Sequence, residues 1–168
     1  MKEKIFIHAL IISDEQGRFL VDLIRNKNLD TAQLSGFISA LKMFGEETLG
    51  DIEAISIDGL DIDMLVVSKY DLVFISIMDT YCAQITDFRK GCEKALDTFY
   101  KKYKDKLFNW DGDLRQFREF KDILKDQVKK YLEKMREYER QMIQVVQKDK
   151  NNEDLKRSKR RFSKKRGE

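Results

Sequence analysis

At 168 residues the chain has room for one folded domain and an appendage, and not for two full cores. Apolar residues make up 42% and charged residues 38%, so a core is available while the excess charge must sit on exposed helix faces or in a tail. There is no proline, which excludes proline-rich linkers and proline kinks.

The net charge of +3 hides a split. Residues 1–155 carry 25 Lys/Arg against 29 Asp/Glu, a balance of −4, whereas residues 156–168 carry eight bases against one acid, a balance of +7. The body is mildly acidic, which argues against a nucleic-acid-binding domain proper. Cys82 and Cys92 fall in one predicted helix, ten residues apart. That separation is about 15 Å along a helix axis, too far for a disulfide. Unpaired thiols without a signal peptide predict a reducing, cytoplasmic setting. The longest apolar run, Ile5 to Ile12, is interrupted by His8 and is too short to span a bilayer.

Residues 4–12 read as a strand that is apolar on both faces. Ser13-Asp14-Glu15-Gln16-Gly17 is a turn, with Gly17 available for positive φ, and residues 18–25 form the return strand of a hairpin. Asp30 opens a helix, with Gln33 at the reciprocal capping position. Leu34, Phe37, Ile38, Leu41 and Phe44 recur at helical spacing as one apolar face. Gly36 within this helix predicts close approach to the sheet, and Gly50 predicts the stop.

Three strands follow as a meander. Residues 52–57 lead through Asp58-Gly59, a hairpin-turn dipeptide, into residues 60–67, and residues 72–78 form the third strand. The first and last strands are apolar on both faces, so both sides of the sheet must be covered. A second helix spans about 82–106, where Ile85, Phe88, Cys92, Leu96, Phe99 and Tyr103 step by three or four. Asp113, with Gln116 at the box position, predicts the cap of a third helix that runs to about residue 148. Its apolar steps pass through Phe117, Phe120, Leu124 and Val128 into Tyr131, Met135, Tyr138, Met142 and Val145. The order is ββαβββαα. It predicts an α/β (α+β) fold with a five-stranded, mainly antiparallel sheet, one helix on one face, two on the other, and a long C-terminal helix.

This order resembles a longin domain. The local features that match are the two-faced first strand with its short turn, Leu34-Ser35-Gly36-Phe37-Ile38-Ser39-Ala40-Leu41 with Phe44-Gly45-Glu46-Glu47, and Asn109-Trp110-Asp111-Gly112-Asp113 followed by Phe117 and Phe120. The resemblance covers about residues 3–132 and rests on topology and diffuse patterns. The related roadblock fold shares the sheet but usually lacks the pair of trailing helices. Longin domains are non-enzymatic, so the resemblance implies a protein-interaction module in small-GTPase regulation or vesicle trafficking. The implied partner is a small GTPase or another longin/roadblock subunit. The heptad segment is shorter than a SNARE requires.

No catalytic constellation is visible. His8 sits on an apolar strand without a Ser-His-Asp or Cys-His pattern. Asp58, Asp61 and Asp63 lack the ligand spacing and closing glutamate of a Ca²⁺ loop, and the cysteines lack companions at zinc-ligand spacing. No phosphate-binding glycine motif occurs. The expectation is no enzyme, no metal and no cofactor.

The expected organisation is a longin-like domain over 1–130, a helical extension over 131–150 and a disordered basic tail over 151–168. Tyr131, Met135, Tyr138, Met142 and Val145 are expected to form an exposed stripe for a partner helix or a second copy. The alternative function is a structural protein that oligomerises through this stripe, or a roadblock-type GTPase-regulating subunit. In the tail, Lys156, Arg157, Lys159, Arg160, Arg161, Lys164, Lys165 and Arg166 form a cluster suited to peripheral contact with an anionic membrane. The same charges could meet nucleic-acid phosphates or stay in solvent.

Overall fold

The computed structural model describes residues 6–26, 28–80 and 88–165, without the side chains of residues 151, 154, 155 and 157–165. Cys82, Ile85 and Arg166, named above, lie outside the described residues. The elements are β1 (Ile7–Asp14), β2 (Phe19–Ile24), α1 (Thr31–Leu49), β3 (Ala54–Ile57), β4 (Ile62–Lys69), β5 (Leu72–Asp79), α2 (Phe88–Phe108), a 3-10 turn (Leu114–Phe117) and α3 (Phe120–Lys165). Two compact units part between Val128 and Lys129.

The sheet order is β2-β1-β5-β4-β3, with every neighbouring pair antiparallel. The two strands that are apolar on both faces, β1 and β5, lie side by side at its centre, where Ile11 faces Ile75 and Ile12 faces Phe74. One face carries α1. There Ile38 packs with Ile11, Val66, Val73 and Ile75. On the other face α2 buries Phe88, Cys92, Ala95, Leu96, Phe99 and Tyr103. Phe117 and Phe120 join this layer, with ring centroids 5.5 Å and 4.9 Å from Phe99. Each such pair adds about 0.5–1.5 kcal/mol beyond the area it buries. The expected arrangement of one helix on one face and two on the other is what the chain adopts.

The local signals succeed where they act on their own segment. The Asp30 carboxylate accepts from the Gln33 N–H at 2.9 Å, and Gly50 ends α1 at φ 85°. Gly17 takes φ 82° in the β1–β2 turn.

Five expectations are corrected. Asp113 caps the 3-10 turn, accepting from the Arg115 N–H at 2.9 Å, and the long helix starts only at Phe120. Gln116 is not at a box position, because its amide donates to Asp111 at 2.9 Å. Phe117 and Phe120 are both fully buried, and three residues per turn bring positions i and i+3 into line. The Asp58-Gly59 pair does not make a two-residue hairpin. Instead the buried Asp63 carboxylate accepts from the Gly59 N–H at 3.0 Å and the Thr80 hydroxyl at 3.2 Å, which holds a longer loop before β4.

Gly36 does not itself face the sheet, since a Cβ added there would meet nothing. The close approach is made by Gly17, whose added Cβ would stand 3.1 Å from the Gly36 Cα and 3.1 Å from the Ser39 Cβ. The helix expected to stop near 148, before a disordered tail from 151, continues in its backbone to Lys165. Residues 113–166 contain neither glycine nor proline, and Lys, Arg, Glu and Gln lose little on entering a helix.

These contacts set opposite outcomes for two glycines. Gly17→Ala should destabilise the protein by about 1–3 kcal/mol, from backbone strain and overlap. Gly36→Ala should stabilise it by about 0.5–1 kcal/mol through helix propensity. Urea midpoints read both, and shifts of the same sign would contradict the assignment.

Candidate interaction site

The groups that could carry chemistry are held in structural pairs. His8 Nε2 lies 2.8 Å from Asp79 Oδ1, which ties β1 to the end of β5. Cys92 is buried beside Ser76, and burial pushes its thiol up to about 12 despite the hydrogen bond to Ser76. A thiolate is the reactive form, so this cysteine is inert near neutrality. Burial likewise raises the Tyr103 phenol. The hydrogen bond from Lys69, 2.6 Å away, lowers the Asp97 carboxyl and raises Lys69, fastening β4 to α2. Among the described residues no group of His, Cys, Asp and Glu could hold a metal ion, and no helix is long and apolar enough to cross a membrane.

A cleft of about 700 Å³ opens at the end of the sheet where the β1–β2 and β4–β5 turns meet. Lys42 in its wall is 3% exposed and lies 3.0 Å from Glu15 and 3.5 Å from Glu46. Arg18 is 2.6 Å from Asp14 and lies over the Trp110 ring. Tyr70 and Asp71 both have positive φ, as the hairpin turn that matches strand twist requires. Tyr70 stacks on Tyr100 at 4.4 Å, which offsets the strain of a bulky residue in that region. These are pairs that lock turns to helices, and no nucleophile with an adjacent base is among them.

The unusual feature is α1. The expected apolar face splits in two. Ile38 is buried, Leu34 and Leu41 are half-buried, and Phe37 and Phe44 point to solvent, with Phe44 71% exposed. Met43 and Leu49 join the exposed set. The inward side instead buries Ser35, Ser39 and Lys42. These small or paired residues admit the β1–β2 turn, where the Ser39 hydroxyl donates to the Glu15 carbonyl. Between Thr31 and Gly45 the only charged residue is Lys42, so the outer face is uncharged.

The main contacts of α1 run to β1 and β2, and the far edge of the sheet is strand β3. The opposite edge, β2, is contacted by the 3-10 turn, and its Asp22 binds Thr31 at 2.8 Å and Lys121 at 3.4 Å. Strand β3 pairs with β4 alone among the described residues. Residues 52–58 contain no lysine or proline, and the charges that guard this edge, Glu53 and Asp58, sit just outside the strand. Ile57 at its end, the 98% exposed Leu60 in the loop that follows and Ile62 at the start of β4 are exposed. None of Met43, Leu49, Ile57, Leu60 and Ile62 was singled out by periodicity. The available signal was a helix with serines at 35 and 39 on one line and phenylalanines at 37 and 44 on another.

Along α3 the expected stripe is not uniform. Tyr131 is half-buried, Met135 is 1% exposed, and Tyr138, Met142 and Val145 are exposed. Ile143 and Val146, not anticipated, are exposed as well. Lys156 is exposed, whereas Arg157, Lys159, Arg160, Arg161, Lys164 and Lys165 are placed by backbone alone.

No protein-family model and no curated protein sequence matches the chain. Solved structures do. MglB of Myxococcus xanthus superposes with a TM-score of 0.51 at 14% identity, over 59% of this chain and 85% of that one. The gliding protein MglB of Thermus thermophilus gives 0.44 at 9% identity, over 52% and 70%. A Roadblock/LC7 domain from Streptomyces avermitilis gives 0.39 at 7%, over 44% and 67%. The fold is that of MglB of Myxococcus xanthus; the likeness extends to architecture, and the surfaces described above are this chain's own.

The Cys92 environment makes a direct prediction. In a Cys82→Ser background, Cys92 should react with a thiol reagent at pH 8 only as fast as the protein opens, and at the free-thiol rate in denaturant. Rapid labelling of the folded protein would contradict its burial.

Proposed function

We propose that this chain is a non-catalytic longin/roadblock-type interaction module acting in small-GTPase regulation or membrane trafficking. The observation that carries the reading is the exposed apolar outer face of α1, where Phe37, Met43 and Phe44 point to solvent. A surface of that composition suits a protein partner and offers nothing to a polar substrate. The fold likeness supports the class of partner, since longin and roadblock modules are expected to meet small GTPases or one another.

The same surface suits a second copy. Two copies of the uncharged stretch around Phe37 can meet without like-charge repulsion, and two β3 edges can pair antiparallel into one continuous sheet about a two-fold axis. Specific interfaces bury roughly 800 Å² per partner. In the alternative reading, assembly runs through Tyr131, Met135, Tyr138, Met142 and Val145. The burial of Met135 leaves that stripe shorter than its spacing suggests. The basic residues from Lys156 to Arg166 are read as a peripheral contact for anionic membrane, at about 1 kcal/mol per charge near the surface.

Two measurements test this. Phe37→Asp with Phe44→Asp should lower the solution mass to that of one chain by light scattering, with unchanged helical circular dichroism. A monomeric parent, or an unchanged oligomer, rejects the α1 interface. Pull-down against small GTPases should favour one nucleotide state; no retention in either state by any of them would remove the GTPase assignment.

A further inference from the structure

We propose that Tyr138–Val146 is a membrane-inserting segment that docks α3 on an anionic lipid surface together with the basic residues beyond it. This deepens the reading of the tail as a membrane contact and rests on it. Tyr138, Met142, Ile143, Val145 and Val146 are each 46–57% exposed on the helix. At 100° per residue, Tyr138, Met142, Val145 and Val146 fall within about a third of its circumference.

The backbone remains helical to Lys165. Position 156 lies 18 residues after 138, about five helical turns. Lys156 therefore continues the line of Tyr138, Met142 and Val146. The sequence is apolar first and cationic afterwards. Residues 147–166 hold ten Lys/Arg against three Asp/Glu, a balance of +7, even though Asp149 and Glu153 fall on the same line.

Lipid fits this arrangement better than a second helix. The exposed patch spans nine residues, about 13 Å, whereas a coiled coil needs three to four heptads. The next heptad positions after Met142 and Val145 are Asp149 and Asn152, which end an apolar seam. A shallow interfacial helix needs only a short apolar patch and a cationic segment to hold it on anionic headgroups.

The test uses the full chain and flotation with vesicles of phosphatidylcholine alone or with phosphatidylserine. The parent should float with the anionic vesicles and not the neutral ones. Met142→Glu with Val146→Glu should weaken anionic binding about tenfold or more. Arg160→Gln with Arg161→Gln, Lys164→Gln and Lys165→Gln should weaken it as well. A Val145→Trp reporter should shift to the blue and be quenched by brominated lipid.

If the glutamate pair floats like the parent and the reporter is unmoved, insertion is rejected while the tail contact stands. If the parent itself does not float, both fall. If the glutamate pair lowers the solution mass and leaves flotation unchanged, the segment binds a second copy and the proposal is overturned. Unchanged thermal melts of both variants exclude misfolding as the cause of any loss.

Discussion

The pairing of β1 with β5 is the constraint on which the rest depends. These strands are the chain's most apolar, and each would expose a hydrophobic face if left at an edge. Side by side at the centre, they require cover above and below. The connections supply it: α1 returns over one face and α2 over the other. Ladder hydrogen bonds satisfy the backbone groups that this burial removes from water. The edges are then left to β2 and β3, and these two differ. Strand β2 is shielded by the 3-10 turn and Lys121, while β3 pairs with β4 alone among the described residues.

That asymmetry explains where an interaction surface can exist. On the α2 face, Phe99, Tyr103, Phe117 and Phe120 close the layer with aromatic contacts. On the α1 face the helix meets a sheet end occupied by the Gly17 turn, and small serines are what fit there. The phenylalanines that a simple amphipathic helix would bury are turned outward. Polar residues inside and apolar residues outside cost stability in a lone monomer, and a partner on the outer face would recover that cost.

Much of the architecture was legible because its signals are local or periodic. Two-faced apolar strands, the Asp30 cap, the Gly50 stop and the Gly17 turn each depend on neighbouring residues alone. Expectations failed where a distant group intervened. Thr80, with Gly59, reshapes the loop before β4 through the buried Asp63, and Phe99 with Tyr103 tightens the chain before α3 into a 3-10 turn. The candidate site was the least legible part. Periodicity groups Leu34, Phe37, Ile38, Leu41 and Phe44 together, yet it cannot say which of two adjacent lines meets the sheet.

By itself, the sequence determined the element order, the need for a sheet covered on both faces, and the change of charge at the C-terminal end. These follow from hydrophobic period and composition, which are properties of each segment alone. Only the tertiary structure decided that Phe37 and Phe44 face outward and that, among the described residues, β3 is paired on one side alone. The reason is physical: exposure depends on what stands opposite a residue, and that partner comes from a distant part of the chain.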